Sequence, residues 1–195
     1  MTERQGTALA VPPEGKESGS AVEGMGIPHR HASIPGTYFV TSRTWESRCL
    51  FVNEPMCTVF VETLFRYQTD RVYGLHAFVL MPDHFHILLT PAQNVTLEKA
   101  VQFIKGGSAR KLGIEGRLRF PVWQRGFSDH RIRNTADYAS HLHYIEQNPV
   151  RKNLAIAPRD YRWSSAAGVY TMDVSPQGLK PQEGTKQFGT AEAVP

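Results

Sequence analysis

The stretch HFHILLTP (residues 84–91) follows the apolar run VYGLHAFVLM (residues 72–81), with a Pro-Asp pair between them. Two runs of this composition joined by a two-residue turn are typical of a β-hairpin. Because side chains alternate across a strand, His84 and His86 are predicted to share one face, and the apolar residues beside them take the other. The hairpin therefore predicts a sheet that carries two imidazoles on one face.

The segments around this hairpin continue an alternation of strands and helices. Besides the hairpin, the predicted elements are a strand at 36–44, helices at 56–70, 95–113 and 134–150, and a short strand at 120–124. Thr96 is predicted to cap the second helix, and Asn134 or Thr135 the third, which should stop near Pro149. The order indicates a ferredoxin-like, RRM-like α+β fold, in which an antiparallel sheet has helices on one face and leaves the other for a site.

Composition predicts one compact domain with tails. Gly, Pro, Ser and Glu are abundant in residues 1–33 and 172–195, which are expected to be disordered, so the domain is predicted to span residues 34–171. No apolar run has the length of a membrane helix or the pattern of a signal peptide. Cys49 and Cys57 are interpreted as free thiols of a cytoplasmic protein.

Positive charge is concentrated in one part of the predicted domain. Residues 99–162 carry a net charge of +8, although the net charge of the whole chain is only +4. This concentration favours a polyanionic partner, of which nucleic acid is the commonest. A basic surface that is merely solvated is the alternative.

The paired histidines are the first candidates for chemistry. Their nitrogens are placed to converge on one cation, and imidazole suits Zn²⁺, Mn²⁺ and Ni²⁺ better than Mg²⁺. The alternative is a pair of histidines that form ordinary hydrogen bonds on a half-solvated face.

The third predicted helix carries a polar stripe at spacings of four, three and four residues, formed by Asp137, His141, Tyr144 and Asn148. A tyrosine hydroxyl is able to attack a phosphodiester and conserve the bond as a phosphotyrosine. The carbonyl oxygen of an asparagine is able to complete the shell of a metal ion. Ordinary helix amphipathicity is the alternative.

Five segments together resemble the REP-associated tyrosine transposases, which are single-tyrosine HUH transposases of the insertion sequence 200/605 type. These segments are YFVTSRT (38–44), LMPDHFHILLTP (80–91), FIKGGSARKL (103–112), VWQRGFSDHRIRNTADY (122–138) and YIEQNPVRKNLA (144–155). The resemblance covers roughly residues 34–168 and implies that the third helix is a catalytic helix on the free face of the sheet.

The resemblance also implies the roles of individual residues. Tyr144 corresponds to the nucleophile, and His84 and His86 correspond to two ligands of Mg²⁺ or Mn²⁺. Asn148 lies where the family supplies a third ligand. Gln147 is the alternative, although one helix position rotates a side chain by about 100° and favours Asn148.

The implied reaction is metal-dependent cleavage and strand transfer of single-stranded DNA through a 5′-phosphotyrosine, on hairpins formed by short palindromic repeats. Arg43 is a candidate for reading flanking bases. The candidates for phosphate contacts in the hairpin stem are Lys105, Arg110, Lys111, Arg117, Arg119, Arg125, Arg131 and Arg133. Bound to DNA, such a protein would be nucleoid-associated, and no membrane partner is expected.

Four aromatic residues are candidates for stacking on unpaired bases, namely Tyr38, Phe39, Trp123 and Phe127. Core packing is the alternative for the last two, and His130 is interpreted as a polar loop residue. The competing functions are a catalytically inactive, domesticated hairpin-binding protein, an RNA-binding module, and a replication initiator or relaxase. The sequence leaves open whether the protein acts as a monomer or as a homodimer.

Overall fold

The structure is a computed structural model that describes residues 34–115, 118, 120–176 and 179. It contains four strands and three α-helices. The expected disorder of residues 1–33 concerns a segment outside the described residues. The elements are β1 (Tyr38–Arg43), α1 (Glu54–Thr69), β2 (Tyr73–Met81), β3 (His84–Pro91), α2 (Leu97–Glu115), β4 (Ser128–Arg131) and α3 (Thr135–Arg151).

The four strands form one antiparallel sheet in the order β2-β3-β1-β4. This is the strand order of a ferredoxin-like sheet, so the predicted α+β fold is confirmed. The two central strands, β1 and β3, are paired so that Thr41 lies opposite His86 and Arg43 lies opposite His84. The histidine pair therefore lies on an inner strand near the end of β1.

The two faces of the sheet bury different helices. Phe85 and Ile87 lie in a large apolar core with residues of α1 and α2. Leu88 lies in a smaller cluster on the other face, where Ile145 of α3 is fully buried. The alternation predicted for β3 is thus confirmed, and the predicted placement of the last helix opposite the other two is confirmed as well.

The predicted strand at 120–124 is wrong, because the fourth strand is Ser128–Arg131. The buried apolar side chains of this segment, Val122 and Trp123, serve the core instead of a sheet. Trp123 is buried, its ring stacks on Phe51, and its Nε1 donates a hydrogen bond of 3.1 Å to Ser108 Oγ. Core packing, rather than base stacking, therefore accounts for Trp123.

Helix α3 ends two residues after Pro149, near the point at which it was predicted to stop. The helix is capped by Asn134, whose Oδ1 accepts a hydrogen bond of 2.9 Å from the N–H of Asp137, and it ends at Arg151. Proline lacks an N–H, so Pro149 removes only the hydrogen bond to the carbonyl of Ile145. Because this loss falls in the last turn, the helix reaches its C-terminal end with only one bond missing.

The contacts of the domain extend beyond the predicted boundary at residue 171. Asp173, in the segment expected to be disordered, accepts a hydrogen bond of 2.7 Å from the N–H of Leu75 through its carboxylate. Its own N–H donates to the carbonyl of Leu75 at 2.8 Å. These contacts cover part of the edge of β2, which would otherwise expose unpaired backbone groups.

Two further features concern the cysteines and the helices. Cys49 and Cys57 are both free thiols, the first exposed and the second buried. Among the described residues, none of the helices combines the length and the apolar character needed to cross a membrane.

Candidate metal and tyrosine site

His84 and His86 lie side by side on the face of the sheet that α3 covers. Their ring centroids are 4.8 Å apart, and the ring planes are nearly perpendicular, at 79°. The two side chains are buried, with 7% and 5% of their surfaces exposed. Burial of two polar rings in contact requires partners for their nitrogens.

One nitrogen of each ring has a partner. His84 Nδ1 donates to Asp83 Oδ1 at 2.5 Å, and His86 Nδ1 shares a hydrogen bond of 2.6 Å with Thr41 Oγ1. His86 Nε2 is buried and has no hydrogen-bond partner in the part of the chain that the structure describes. When Nδ1 donates, Nε2 carries the lone pair, and this is the arrangement in which metal-ligating histidines are held by carboxylate and other oxygen partners.

Both imidazoles are held in their neutral form. Burial lowers the pKa of His84, with a smaller contribution from the positive charges of Arg43 and Lys152, although the hydrogen bond to Asp83 opposes the change. Burial, together with the neighbouring His84 and Arg43, lowers the pKa of His86 to about 3. At neutral pH each ring therefore has a lone pair available for a metal ion.

Helix α3 brings Tyr144 against this pair within the same chain. The ring of Tyr144 meets the ring of His86 edge-on, with centroids 5.2 Å apart, and lies 5.8 Å from Phe39. Tyr144 is 36% exposed, and the guanidinium of Arg151 lies 5.5 Å from its ring centroid. The phenol is thus adjacent to the histidines and still accessible to a substrate.

Asn148 lies one helical turn after Tyr144, and Lys152 lies one turn further. Tyr144, one turn before Asn148, contacts His86, and Lys152, one turn after it, is close enough for its charge to act on His84. Asn148 is therefore expected on the side of the helix that faces the two histidines. Asn148 is 4% exposed, and its Oδ1 is buried with no hydrogen-bond partner from residues 34–115, 118, 120–176 or 179. A metal ion bound at this position would be coordinated by this carbonyl oxygen, which otherwise lacks a partner.

Gln147 has a different environment. It lines an open surface hollow together with Tyr144, Ser140, His143 and Arg151. The geometry therefore favours Asn148 over Gln147 as a third ligand. Two imidazole nitrogens and one amide oxygen form a donor set that fits a divalent ion such as Mn²⁺ and leaves coordination positions for phosphate oxygens.

Among the described basic residues that were predicted to bind DNA, Arg43 lies beside the histidine pair. Arg43 lies opposite His84 in the sheet, and its Nη1 is 2.9 Å from Asp83 Oδ2. Arg110 and Lys111 lie on α2, which packs on the opposite face, and Lys111 Nζ is 3.9 Å from the carboxylate of Glu62.

The other basic candidates have varied environments. Lys105 Nζ donates to the carbonyls of Gln124 and Gly126, and Arg131 Nη2 donates to the carbonyl of Pro35 at 3.1 Å. Lys105 therefore ties α2 to the loop before β4. Arg125 and Arg133 are exposed, whereas Arg117 and Arg119 lie outside the described residues.

Sequence reasoning missed four residues of the site, namely Thr41, Asp83, Arg151 and Lys152. Arg151 and Lys152 are seven and eight residues after Tyr144, so helical periodicity was a sufficient signal for both. Thr41 was not detectable from spacing, because its contact depends on the register between β1 and β3.

A second group of ionisable residues lies further towards the start of α3. His130 of β4 and Asp137 and His141 of α3 are the one group of three His, Cys, Asp or Glu residues, within the described parts of the chain, whose ligand atoms are close enough to hold a metal ion. Burial opposes ionisation of Asp137, but hydrogen bonds from His130 and from the N–H of Arg133 outweigh it and lower the pKa of Asp137. His130 is thus a strand residue with a charged partner, and its interpretation as a polar loop residue is wrong.

The aromatic candidates on β1 face in opposite directions. Tyr38 is buried in the core with α1 and α2, and its hydroxyl donates to the carbonyl of Ile34. Phe39 lies on the face of α3, where its ring packs against His86, His141 and Tyr144. Phe39 separates the histidine pair from the group around Asp137.

Comparison with known proteins shows the family of this chain. Residues 37–148, more than half of the chain, match the family model described as "Transposase IS200 like". A REP-associated tyrosine transposase of Escherichia coli (strain K12) is 29% identical over 146 residues, which are 71% of this chain and 84% of that protein.

A solved structure of a REP-associated tyrosine transposase bound to a REP hairpin shares the fold. It has a TM-score of 0.61 and 24% sequence identity, and the match covers 85% of this chain and 100% of the other. The resemblance to REP-associated tyrosine transposases is thus confirmed, and the chain belongs to the IS200-like transposase family.

Proposed function

We propose that this protein is a metal-dependent transposase that cleaves single-stranded DNA and transfers the strand through a 5′-phosphotyrosine at Tyr144. The observation that carries the proposal is the contact of Tyr144 with His86, beside two buried lone-pair atoms, His86 Nε2 and Asn148 Oδ1, that have no hydrogen-bond partner among the described residues. A protein that only binds DNA needs none of these features.

In the proposed reaction, the phenolic oxygen of Tyr144 attacks the phosphorus of the scissile phosphodiester. The Tyr144 O–P bond forms as the P–O3′ bond breaks, the phenolic proton passes to solvent, and the 3′ oxygen takes up a proton. Attack by a different 3′ hydroxyl reverses the step and joins the new strand. A Mg²⁺ or Mn²⁺ ion bound by His84, His86 and Asn148 would supply polarisation of the phosphate.

The surrounding residues have supporting roles in this proposal. Asp83 and Thr41 fix the rings of His84 and His86 through their Nδ1 atoms. Three cations border the site and are placed to contact phosphates of the bound strand, namely Arg43, Arg151 and Lys152. Contacts of this kind orient DNA without reading its sequence.

The proposed DNA partner is a hairpin formed by a palindromic repeat. The relative of matching fold was solved with a REP hairpin, and this supports the same class of partner here. The exposed side chains of Arg110, Arg125, Arg131 and Arg133 are the proposed contacts with the stem, because they lie outside the catalytic pocket. Lys105 and Lys111 would contribute mainly by positive potential, since both already interact with neighbouring protein groups.

The proposed catalytic unit is a single chain. Tyr144 and His86 of the same chain are in contact, so the nucleophile and the ligands meet without a second subunit. All of these residues lie within the predicted domain of residues 34–171, which we extend to Asp173 on the basis of its contacts with β2.

The test is a denaturing gel with labelled hairpin DNA taken from beside the gene, incubated with Mg²⁺ or Mn²⁺ or with EDTA. The proposal predicts a covalent adduct that requires the ion and disappears in Tyr144→Phe, while that variant still binds the hairpin. Tyr138→Phe, which removes a hydroxyl from the same helix, is the matched control and should form the adduct.

Two outcomes would contradict the proposal. An adduct in Tyr144→Phe would assign the nucleophile to another residue. Hairpin binding by the unmodified protein, with no adduct under any metal condition, would support the catalytically inactive hairpin-binding alternative.

A further inference from the structure

The group formed by His130, Asp137 and His141 is not used by the proposed reaction. His130 Nε2 lies 2.9 Å from Asp137 Oδ2 and 3.1 Å from Asp137 Oδ1. His141 Nδ1 lies 3.0 Å from Asp137 Oδ1 and donates a hydrogen bond of 2.8 Å to the backbone carbonyl of Asp137, so a bound ion would replace the proton of this bond. Two imidazoles from different elements are therefore aimed at one carboxylate.

This group is separate from the histidine pair on the sheet. The ring of Phe39 lies between them, with its centroid 5.3 Å from that of His86 and 4.8 Å from that of His141. One ion cannot serve both groups across an aromatic ring.

The carboxylate is held in place by groups other than the histidines. The N–H of Arg133 donates to Asp137 Oδ2 at 3.0 Å, and the backbone N–H of Asp137 is bound by the capping side chain of Asn134. The imidazoles of His130 and His141 stack with centroids 4.6 Å apart and planes inclined by 16°. These hydrogen bonds and the stacking of the rings hold the three side chains in one arrangement through contacts within the protein.

The distances fit a small transition-metal ion. The ligand atoms of the three residues lie within 4.8 Å of one another. Four-coordinate ions with bonds of about 2.0–2.2 Å hold their ligand atoms roughly 3.3–3.5 Å apart. The two His–Asp pairs, at 2.9 and 3.0 Å, would open by a few tenths of an ångström, and the two imidazole nitrogens would adjust to the same separation. The side chains of His130, Asp137 and His141 are 37%, 18% and 23% exposed, which leaves a path for the ion and a position for water.

We propose that His130, Asp137 and His141 form a second divalent-metal site, selective for zinc-class ions over Mg²⁺, that links β4 to α3. Two imidazoles and one carboxylate are ligands that suit Zn²⁺, whereas Mg²⁺ prefers oxygen ligands alone. The link joins a four-residue edge strand to the helix that carries Tyr144, and His141 lies one turn before that residue. The site is therefore structural, and its existence does not depend on the proposed reaction.

The test measures Zn²⁺ binding to the full-length, untagged protein by calorimetry, with Co²⁺ absorption as a second probe. The parent for the test is His84→Ala/His86→Ala, which removes the other candidate site. His130→Gln/His141→Gln is then added to this parent, and His143→Gln, an exposed residue of the same helix, serves as the control. Histidines outside the described residues are present in all three proteins and cancel in the comparison.

The proposal predicts that the parent and the His143→Gln control each bind one more Zn²⁺ than the variant without His130 and His141. In the parent, Co²⁺ should give the visible bands of a four-coordinate nitrogen and oxygen site, and Zn²⁺ should raise the midpoint of thermal unfolding. Equal Zn²⁺ stoichiometry and affinity in all three proteins would overturn the proposal. If the double substitution prevents folding, as judged by circular dichroism, His130→Gln alone provides the comparison, because this residue lies on an exposed edge strand.

Discussion

Acidification should destabilise the metal-free protein through His86, and His86→Gln should remove that part of the loss. Burial, with smaller contributions from the neighbouring His84 and Arg43, lowers the pKa of His86 in the folded protein to about 3, whereas the unfolded chain has a value near 6.5. Between these values the unfolded state binds a proton that the folded state does not. The free energy of unfolding therefore has its full value above about pH 6.5 and falls as the pH is lowered towards 3.

The expected size follows from the two pKa values. A single group of this kind lowers the free energy of unfolding by about 2–3 kcal/mol between pH 7.5 and pH 4.5. Urea unfolding in EDTA, followed by tryptophan fluorescence, measures the loss at both pH values. His86→Gln should lose about 2–3 kcal/mol less than the unmodified protein, because its side chain does not titrate.

The matched control is His143→Gln, since His143 is exposed. This variant should show the same pH-dependent loss as the unmodified protein. Differences between pH values are compared, so any constant effect of a substitution cancels. An equal loss in His86→Gln and in the unmodified protein would refute the inference that His86 is held neutral by burial.

Three further predictions concern the architecture of the site. Thr41→Val removes the hydrogen bond to His86 Nδ1 and should weaken Mn²⁺ binding about 10- to 100-fold in calorimetry, and unchanged affinity would exclude an orienting role for Thr41. Ile145→Ala should lower the free energy of unfolding by about 2–5 kcal/mol, because Ile145 is fully buried under α3, whereas Ile156→Ala, at a 94% exposed position, should change it by less than about 0.5 kcal/mol. A mixture of Tyr144→Phe and His86→Ala proteins should form no covalent adduct with hairpin DNA, since each chain assembles its own site, and recovered adduct would show that subunits share sites.

The hairpin and the site residues on it were predictable because their signals are local. Strict alternation in β3 places His84 and His86 on one face, and helical spacing places Tyr144 and Asn148 on one side of α3. Neither inference required knowledge of which strands pair. The faces on which these residues lie could therefore be predicted before the partner elements were located, whereas their roles are what the resemblance to the transposases implies.

The fourth strand was not predictable in the same way. β4 has the sequence SDHR and is largely exposed, so it lacks the apolar alternation that identifies a half-buried strand. A strand was predicted instead in the apolar segment 120–124 just before β4, whose Trp123 is buried in the core. Short, charged strands at the edge of a sheet contain few apolar residues. This composition resists aggregation, and it also removes the alternation from which a strand is predicted.

The group around Asp137 was missed as a consequence. Its formation requires His130 to lie on a strand beside the start of α3, and the sequence alone placed His130 in a loop. Sequence spacing identified Asp137 and His141 as neighbours on one stripe, but it did not supply their third member. Contacts that depend on strand register, such as that of Thr41 with His86, are hidden from sequence reasoning for the same physical reason.

The most direct measurement is anomalous scattering from crystals of the protein grown with Mn²⁺. The account predicts a peak about 2.0–2.3 Å from Nε2 of His84 and of His86, with Asn148 Oδ1 as a third ligand and Tyr144 beside it. Crystals in which Mn²⁺ is bound elsewhere on the protein while the two imidazoles remain without an ion would contradict it.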